Sequence, residues 1–405
     1  MVQQRTNPTP VFILAGGTGE RLSPLTQAKP KPAVCFGGTH QIIDFTLSNC
    51  INSGLRKIFV LSQYQQKHLH DYVRETRARM SQVFRWQEGD QLLSVPPTSG
   101  KRYRGTADAV FQNLQLIRFD SAEDVLIVSG DQIYSMDYRS LLWRHTMSGA
   151  DMTIATVPRP VHEAGGFGVL EIENGLVTGL REKPPAESLP RLGDVPVSMG
   201  VYVFKRKALI DVADTAGSME TDFARHIIPS LIRQHKVAAY DFGSAPQSYW
   251  RDVGSLDSYF QANMDLLGTR PQFVVEPNSP WPMYATGDSD TANTVGSRVS
   301  RRAFVRSRRI RRSIISYGAF IEPGAIVEDS VVLPGARIGK DAHLRNSIVA
   351  EGVTIPDGFR IGLDIRIEAT RFKVTAGGVV VVDRPLRHSF KTTEYVAARQ
   401  AVGVA

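Results

Sequence analysis

The sequence predicts two folds in succession, an α/β domain with a mostly parallel sheet and then a parallel β-helix. From Val11 to about Leu267, short β-branched runs alternate with stretches of helical spacing, which is typical of an α/β domain. From Glu276 to Gly296 the hydrophobic residues show neither the periodicity of a strand nor that of a helix, and this segment is interpreted as a linker. After it, bulky aliphatic residues recur at a fixed short period, which indicates stacked repeats. The predicted parts are 1–275, 276–296 and 297–405.

The elements of the first part follow from runs of four to twelve residues. Strands are predicted at Val11–Leu14, Lys57–Leu61, Asp124–Val128, Met152–Val157, Leu176–Arg181 and Val197–Phe204. Helices are predicted at Asp44–Ser53, Leu69–Met80, Asp108–Ile117, Tyr138–Ser148 and Phe223–Gln234. Open α/β sheets bind ligands at the carboxyl ends of their strands, so residues that follow these strands are the first candidates for a site.

The second part shows a period of six. The bulky residues expected to point inward are Ile314, Phe320, Ile326, Val332, Ile338, Leu344 and, continuing the series, Ala350. Small residues precede them by two positions, at Gly318, Gly324, Ser330, Ala336 and Ala342. A β-sandwich is the alternative, but it would show period two within strands and irregular turns between them. The regular spacing therefore favours a parallel β-helix.

Composition excludes several classes of protein. The 405 residues are 42% hydrophobic and 22% charged, which is ordinary for globular proteins and disfavours disorder and coiled coils. No apolar run approaches the roughly 18–20 residues that span a bilayer, and the N-terminus lacks the layout of a signal peptide. A cytoplasmic protein without a membrane partner is expected. Cys35 and Cys50 are expected to be buried, and His68, His70 and His145 to be exposed rather than metal ligands.

The positive charge is local. The net charge is +8, and eight arginines lie between positions 298 and 312, so this one cluster accounts for the whole excess. Neither interleaved aromatic residues nor a helix-turn-helix pattern accompanies it, so no nucleic-acid partner is expected. The cluster is interpreted either as a solvated face or as a site for a small phosphorylated anion.

A glycine-rich loop follows the first predicted strand, with the sequence AGGTGERL at 15–22. Such a loop lets backbone N–H groups point at phosphate oxygens. It is neither of two familiar phosphate loops, because no Lys follows Gly19 as in a Walker A loop and Leu22 replaces the third glycine of a dinucleotide fingerprint. Arg21 and Lys31 stand close behind it and could bring fixed positive charge to a triphosphate.

Further motifs extend along nearly the whole chain. They are FGGxxxIIDFTLSNCINSG (36–54), LSQYQ (61–65), YRGTADAVFQN (103–113), SGDQIY (129–134), GFGV (166–169), EKP (182–184), SMGVYVF (198–204) and YWRDVG (249–254). In this order they resemble the nucleotide-sugar pyrophosphorylases, and specifically the glucose-1-phosphate adenylyltransferases of the bacterial glycogen type. The resemblance implies a Rossmann-like nucleotidyltransferase domain and a left-handed β-helix of hexapeptide repeats. It also implies transfer of AMP from ATP to α-D-glucose 1-phosphate, giving ADP-glucose and pyrophosphate.

The resemblance assigns catalysis to two cations and two carboxylates. Arg21 matches the family's loop arginine and Lys31 its companion cation, while Asp131 and Asp252 match the carboxylates that hold Mg²⁺. Both aspartates also end predicted strands, and two carboxylates with phosphate oxygens and water suit the octahedral preference of Mg²⁺. The alternative for Asp131 is a cap or turn aspartate. For Lys31, it is a stiff KPKP connector.

The same resemblance implies the substrate sites. ATP would be held by Gly16, Gly17, Thr18, Gly19, Gly105 and Thr106, and glucose 1-phosphate by Tyr103, Gly168, Glu182, Lys183 and Ser198. From the residues alone, Glu182 and Lys183 could equally form a surface ion pair. Gly168 could be a plain turn, and Tyr103 and Ser198 plain packing residues.

Regulation and assembly are implied in the same way. The family resemblance implies a homotetramer that answers to phosphorylated effectors. Positive charge that the catalytic chemistry does not use makes the following residues effector candidates: Lys29, Arg308, Arg309, Arg371, Lys373, Arg384 and Arg387. The segment AKPKPAVCFGGTHQIID has fewer basic residues than the family's pattern at the positions expected to hold an effector phosphate. The identity of the effector therefore stays open. Two alternatives also remain, a sister enzyme that uses UTP, dTTP or GTP and a non-catalytic regulatory subunit. The second is disfavoured because Arg21, Asp131 and Asp252 are all present.

Overall fold

Strand β1 (Val11–Leu14) pairs in parallel on both sides, with Lys57–Leu61 and with Asp124–Ser129. The computed structural model describes residues 8–83, 86–98, 101–244, 248–268, 271–275, 281, 283, 291–294 and 296–386. The chain forms two units, which are described separately. The first unit consists of 1–17 and 45–250, and the second of 18–44 and 251–405. The predicted division of the chain into a catalytic domain (1–275), a linker (276–296) and a repeat domain (297–405) stays a prediction.

A nine-stranded mixed sheet forms the first unit. After β1, its strands are β2 (Lys57–Leu61), β3 (Gln91–Val95), β4 (Asp124–Ser129), β5 (Met152–Pro160), β6 (Gly168–Glu173), β7 (Leu176–Glu182), β8 (Asp194–Lys205) and β9 (Val237–Asp241). Their order is β3-β2-β1-β4-β8-β5-β9-β7-β6. The first four strands are parallel, whereas β8 runs antiparallel to β4 and β5. The predicted α/β fold is confirmed, with this antiparallel part added to it.

Helices connect the strands. They are α1 (Ile43–Asn52), α2 (Gln66–Val83), α3 (Thr106–Phe111), α4 (Tyr138–Ser148), α5 (Val161–Ala164), α6 (Arg206–Thr215), α7 (Ile228–Gln234), α8 (Leu256–Met264) and α9 (Ile365–Glu368). Shorter helical turns lie at Glu20–Leu22, Lys31–Ala33, Leu114–Leu116, Ala186–Ser188 and Phe223–Ile227. Short strands lie at Cys35–Phe36, His40–Gln41, Gln132–Tyr134 and Trp250–Asp252. No described helix is both long enough and apolar enough to cross a membrane.

The second unit contains the predicted parallel β-helix. Its three sheets are built from Ser297–Ser300, Ile314–Ile315, Val331–Val332, Ser347–Val349 and Val380–Val382; from Phe304–Val305, Phe320–Ile321, Arg337–Ile338 and Thr354–Ile355; and from Arg309–Arg311, Ile326–Glu328, His343–Arg345 and Arg360–Ile361. Thr291–Thr294 and Lys373–Val374 add antiparallel strands at the two ends of the first sheet. The left-handed sense of the helix remains a prediction.

The β-helix register corrects the predicted series at four positions. The core residues there are Ile315, Ile321, Val327 and Val349, instead of the predicted Ile314, Phe320, Ile326 and Ala350. Ile321 and Val327 point inward, whereas Phe320 is 39% exposed. A buried serine ladder gives the reason, because Ser330 donates its N–H to the Ser313 hydroxyl seventeen residues earlier. One coil therefore has seventeen residues, in two repeats of six and one of five. A strict period of six falls out of register with the inward-pointing positions by one residue per coil. The buried small residues are Ser313, Ala319, Ala325, Ser330, Ala336, Ala342 and Ser347, so Gly318 and Gly324 are turn residues with φ of 66° and 77°.

Two other predictions are wrong. The predicted helix Asp108–Ile117 is shorter, because α3 ends at Phe111 and a separate turn follows at Leu114–Leu116. His145, expected to be exposed, is buried, and its Nδ1 lies 2.8 Å from the Thr153 hydroxyl. Both cysteines are buried as predicted, and burial raises the pKa of the Cys35 thiol to about 12.

Candidate active site

The glycine-rich loop begins in the first unit, directly after β1. A Cβ at Gly16 would lie 3.5 Å from the Gln63 side chain and 3.7 Å from the Tyr103 ring, which are ordinary contacts. A Cβ at Gly17 would meet no atom within 4 Å. The backbone at Gly17 is therefore open to a ligand, as binding of phosphate by N–H groups requires.

The loop continues in the second unit, where Gly19 makes a close approach to Lys31. Gly19 has a φ of 68°, and a Cβ there would lie 2.8 Å from the Cβ of Lys31. Thr26 donates its hydroxyl to the Gly19 carbonyl at 2.9 Å, and Thr18 donates to the Glu20 carboxylate at 3.3 Å. Only glycine meets both the left-handed conformation and the lack of space at position 19.

Three of the four predicted catalytic residues come together in the second unit. Lys31 Nζ lies 3.3 Å from Asp252 Oδ1, and only 7% of the lysine side chain is exposed. A Cβ at Gly254 would lie 2.7 Å from Asp252 Oδ2 and 2.9 Å from Arg21 Nη2. Arg21 and Asp252 thus border the same small space beside Gly254. Fixed cations next to a carboxylate are the chemical groups that recognition of phosphate and metal requires.

Helix α8 holds the segment that carries Asp252. Ser255 caps the helix, and the Ser255 and Ser258 side chains form a capping box with each other's backbone N–H groups. Arg251 donates its Nε to the buried Asp265 carboxylate at 3.0 Å, at the other end of the same helix. Asp252 therefore lies between Arg251, which is bound to the end of α8, and Ser255, which caps its start.

Asp131 lies in the first unit, beside the start of the glycine-rich loop. The preceding Gly130 donates its N–H to the Leu14 carbonyl at 3.0 Å, so β4 stays paired with β1 up to this point. A Cβ at Gly130 would lie 2.7 Å from the Ile13 side chain, which makes a larger residue there costly. Asp131 follows the carboxyl end of β4, as the sequence predicted, and it is half-buried.

The predicted glucose 1-phosphate residues lie largely in one place. Strands β6 and β7 pair so that Gly168 stands opposite Glu182, and a Cβ on Gly168 would lie 3.1 Å from Glu182 Oε2 and 3.8 Å from the Cβ of Ser198. Lys183 Nζ lies 3.6 Å from Glu182 Oε1. Lys183 also has a φ of 49°, and its N–H donates to the Phe167 carbonyl at 2.9 Å. Because the Lys183 side chain is half exposed, its amine could bind a ligand from solvent.

Tyr103 lies next to the glycine-rich loop, and its side chain is buried. Its hydroxyl donates to the Val95 carbonyl at 3.1 Å and accepts from Asn113 at 2.9 Å. Its N–H donates to the Gln63 side chain at 2.9 Å. Burial raises the pKa of the Tyr103 phenol. What Tyr103 offers to a ligand is therefore a neutral ring edge near Gly16.

The predicted ATP residues Gly105 and Thr106 hold a neighbouring loop. A Cβ at Gly105 would lie 2.3 Å from the Thr221 carbonyl oxygen, so this close approach requires glycine. The Thr106 hydroxyl donates to Asp222 at 3.1 Å and accepts from the Phe223 N–H at 3.0 Å. Their role toward ATP remains a prediction.

Comparison with known proteins gives the family. A family model described as nucleotidyl transferase matches residues 11–269, and one described as GlmU-like, C-terminal hexapeptide matches 280–382. The chain is 39% identical to glucose-1-phosphate adenylyltransferase 2 of Alkalilimnicola ehrlichii over 94% of both chains. It is 38% identical to the glucose-1-phosphate adenylyltransferase of Thiobacillus denitrificans, over 94% of this chain and 91% of the relative. It is 36% identical to the glucose-1-phosphate adenylyltransferase of Bradyrhizobium diazoefficiens, over 93% of this chain and 95% of the relative.

This chain belongs to the glucose-1-phosphate adenylyltransferase family. The predicted resemblance, the nucleotidyltransferase class of enzyme and the hexapeptide-repeat β-helix are thereby confirmed. The roles of the individual site residues remain predictions.

The predicted effector residues are spread over the second unit. Lys29 forms an ion pair with Glu351, and Arg384 donates to the Arg371 carbonyl at 3.2 Å. Arg308 and Arg309 are exposed, while Arg387 lies outside the described residues. The arginine cluster is not uniformly a surface patch, because Arg298 is buried and donates to the Val275 carbonyl at 3.0 Å. Arg311 and Arg312 form ion pairs one coil away with Glu328 and Asp329.

Sequence reasoning missed three residues that shape the site. Gln63 makes two hydrogen bonds to the backbone of Tyr103, Gly130 allows the chain before Asp131 to pack closely against Ile13, and Gly254 allows the close approach of Asp252 and Arg21. All three lie inside motifs that the sequence already shows, LSQYQ, SGDQIY and YWRDVG. A glycine or an amide beside a charged or aromatic residue of the motif could have marked them as candidates. The residues that they contact lie far away in the sequence, so their contacts could not be predicted.

Proposed function

We propose that this protein transfers the adenylyl group of ATP to α-D-glucose 1-phosphate, which yields ADP-glucose and pyrophosphate for glycogen synthesis. The observation that carries the proposal is the nearly buried Lys31 beside Asp252, with Arg21 bordering the same space. A buried cation next to a phosphate-type glycine loop is suited to a polyphosphate. The names of the relatives supply the choice of ATP and glucose 1-phosphate.

The reaction needs positioning more than proton transfer. An oxygen of the sugar phosphate attacks the α-phosphorus of ATP in line, and the bond to the pyrophosphate oxygen breaks. The nucleophile is already anionic, so no general base is required. Negative charge grows on the departing pyrophosphate, and Arg21 and Lys31 would stabilise it there because their charges are fixed before the reaction begins.

Asp131 and Asp252 would hold Mg²⁺. Both offer carboxylate oxygens, the hard ligands that this ion prefers, and Asp252 Oδ2 lies close to Gly254, as Arg21 does. Among the described residues, no group of three His, Cys, Asp or Glu side chains could hold a metal ion. Mg²⁺ is commonly bound by one or two carboxylates, with phosphate oxygens and water completing its octahedral coordination. When bound, Mg²⁺ neutralises charge on the reacting phosphates.

The glucose end is assigned to Glu182 and Lys183. Glu182 can accept hydrogen bonds from sugar hydroxyls, while the half-exposed amine of Lys183 can bind the sugar phosphate. Gly168 leaves the space in front of Glu182 open, since any Cβ there would crowd the carboxylate.

A nucleotide panel tests the activity. Glucose-1-phosphate-dependent release of pyrophosphate is measured in parallel with ATP, UTP, dTTP and GTP at equal concentration and with Mg²⁺. ATP is expected to give the highest kcat/KM. A preference for UTP, dTTP or GTP would identify a sister enzyme, and no turnover with any of the four would indicate a non-catalytic subunit.

Assembly, regulation and location complete the proposal. We expect a cytoplasmic homotetramer that responds to phosphorylated metabolites. Repeat stacks are stable only when their ends and edges are covered, which supports contacts between β-helices of different subunits. Light scattering of the full chain measures its mass, and a monomer would contradict the tetramer.

A further inference from the structure

A hairpin at the end of the β-helix contacts two separate segments of the candidate active site. Its strands, Lys373–Val374 and Val380–Val382, pair antiparallel, and Val380–Val382 also pairs in parallel with Ser347–Val349. The hairpin is thus anchored in the repeat stack. Its turn is closed by hydrogen bonds of Thr375, and Asn346 donates to the Gly378 carbonyl at 2.7 Å.

The first contact reaches the turn that carries Arg21. Lys373 donates its Nζ to the Ser23 carbonyl at 2.7 Å. Ser23 ends the helical turn Glu20–Leu22, and its own N–H donates to the Glu20 carbonyl at 2.9 Å. Lys373 therefore holds the last carbonyl of a single turn that has Arg21 in the middle.

The second contact reaches helix α8, which follows Asp252. Asp257, in the first turn of α8, accepts hydrogen bonds from the Thr375 hydroxyl and from the Gly377 N–H, the latter at 3.3 Å. A Cβ at Gly377 would lie 2.6 Å from Asp257 Oδ1, so a larger residue there would displace the Asp257 carboxylate. Helix α8 also packs against the turn Glu20–Leu22. The hairpin, α8 and the Arg21 turn thus contact one another in all three pairings.

We propose that Lys373, together with the Thr375–Asp257 contact, positions Arg21 and Asp252 for the reaction. The proposal rests on the catalytic roles proposed above for those two residues. Lys373 is a positioning residue, because its contact is with a backbone carbonyl two residues beyond Arg21. The β-helix then does more than join subunits, since its last hairpin fixes the distance between a catalytic cation and a catalytic carboxylate.

The expected size of the effect follows from how strongly phosphoryl chemistry depends on alignment. Misplacing a reacting group by a fraction of its contact distance costs about ten- to a hundredfold in rate. Lys373 is exposed and its side chain is not part of the β-helix core, so we expect its loss to leave folding intact. The phenotype therefore appears in kcat and not in stability.

The test compares Lys373→Met with Lys340→Met in the full chain. Lys340 is an exposed lysine of another β-helix turn, so it controls for loss of a surface charge. We expect Lys373→Met to lower kcat about tenfold with an unchanged melting temperature and an unchanged KM for glucose 1-phosphate. Lys373→Arg should restore most of the rate because it keeps a donor, and Lys340→Met should match the wild type. Thr375→Val provides a second variant that acts through Asp257, with the same expected fall in kcat.

A double-mutant cycle with Arg21→Ala separates this inference from the proposed function. If Lys373 acts through Arg21, Lys373→Met has little further effect in the Arg21→Ala background. Independent, multiplying effects would overturn the inference, and so would a wild-type kcat in Lys373→Met when Arg21→Ala is impaired. An unimpaired Arg21→Ala would instead contradict the proposed role of Arg21 itself.

Discussion

Lys31 Nζ lies 3.3 Å from Asp252 Oδ1, although 221 positions separate the two residues in the sequence. The contact brings the segment after the glycine loop against the segment that starts α8. Because Lys31 is nearly buried, its charge is held in place before any substrate arrives. Pre-organised charge of this kind is the main contribution a protein can make to nucleotidyl transfer.

Gly19 and Gly17 should respond differently to substitution by alanine. At Gly19, a Cβ would meet Lys31 at 2.8 Å and the φ is 68°, so Gly19→Ala should cost roughly 1–2 kcal/mol of stability and displace Lys31. Gly17→Ala should leave stability unchanged, since nothing lies within 4 Å, but it should raise the KM for ATP by crowding the phosphates. Thermal melts and steady-state kinetics of both variants check this. Equal stabilities for the two variants would contradict the structural argument at Gly19.

Lys183→Ala should raise the KM for glucose 1-phosphate far more than that for ATP, on the order of a hundredfold, because its proposed contact is to one substrate. Stability should stay the same, since a half-exposed ion pair with Glu182 contributes about 0–1 kcal/mol. Lys207→Ala, an exposed lysine on α6, is the matched control. A similar rise in both KM values would argue against a specific sugar-phosphate contact.

Local elements were predictable from the sequence, and distant pairings were not. Strands β1 and β2 and helix α4 have the predicted bounds, because their hydrophobic patterns are local. The predicted helix Asp108–Ile117 is interrupted where Asn113 uses its side-chain amide on the Ala109 carbonyl and the Tyr103 hydroxyl. This competition depends on tertiary contacts that no local pattern contains.

The β-helix shows a second kind of limit. The sequence has adjacent apolar residues at 314–315, 320–321 and 326–327, so a period of six fits either member of each pair. The buried small residue two positions earlier decides between them, and it places Ile321 inside and Phe320 outside. In the same way, motifs predicted that Arg21, Lys31 and Asp252 belong to one site, but only the folded chain shows Lys373 and Asp257 beside them.

Glu368 predicts a pH dependence of stability. The side chain is buried, and desolvation raises its pKa from 4.5 to about 7. A carboxyl group whose pKa is higher in the folded state than in the unfolded state contributes stability when both states are protonated, below about pH 4.5. That contribution is lost as pH rises through about 7, where the folded state must also give up the proton. Unfolding free energies should therefore fall between pH 4.5 and 7, and Glu368→Gln should remove that slope and stabilise the protein by roughly 3 kcal/mol above pH 7. Chemical denaturation of both proteins across this range measures it, and identical pH profiles would contradict the assignment.

Arg308 and Arg309 test the regulatory proposal. Both are exposed and have no role in the proposed chemistry. If they bind a phosphorylated effector, the double change to Glu should weaken the response to fructose 6-phosphate, fructose 1,6-bisphosphate or AMP by more than about tenfold in half-saturating concentration. The unstimulated rate should remain near that of the wild type. Arg360→Glu controls for charge reversal elsewhere on the β-helix, and a response that survives the double change would identify the cluster as a solvated face.

Pyrophosphate release by Asp252→Asn is the most direct measurement of whether the Lys31–Asp252 cluster is the catalytic centre. The substitution keeps the size of the side chain but removes its charge, and Asp194→Asn at an exposed position is the control. With saturating ATP, glucose 1-phosphate and Mg²⁺, we predict a loss of at least about a thousandfold in kcat for Asp252→Asn, in a variant whose cooperative thermal melt shows that it is folded at the assay temperature. A rate within tenfold of the control would contradict the assignment.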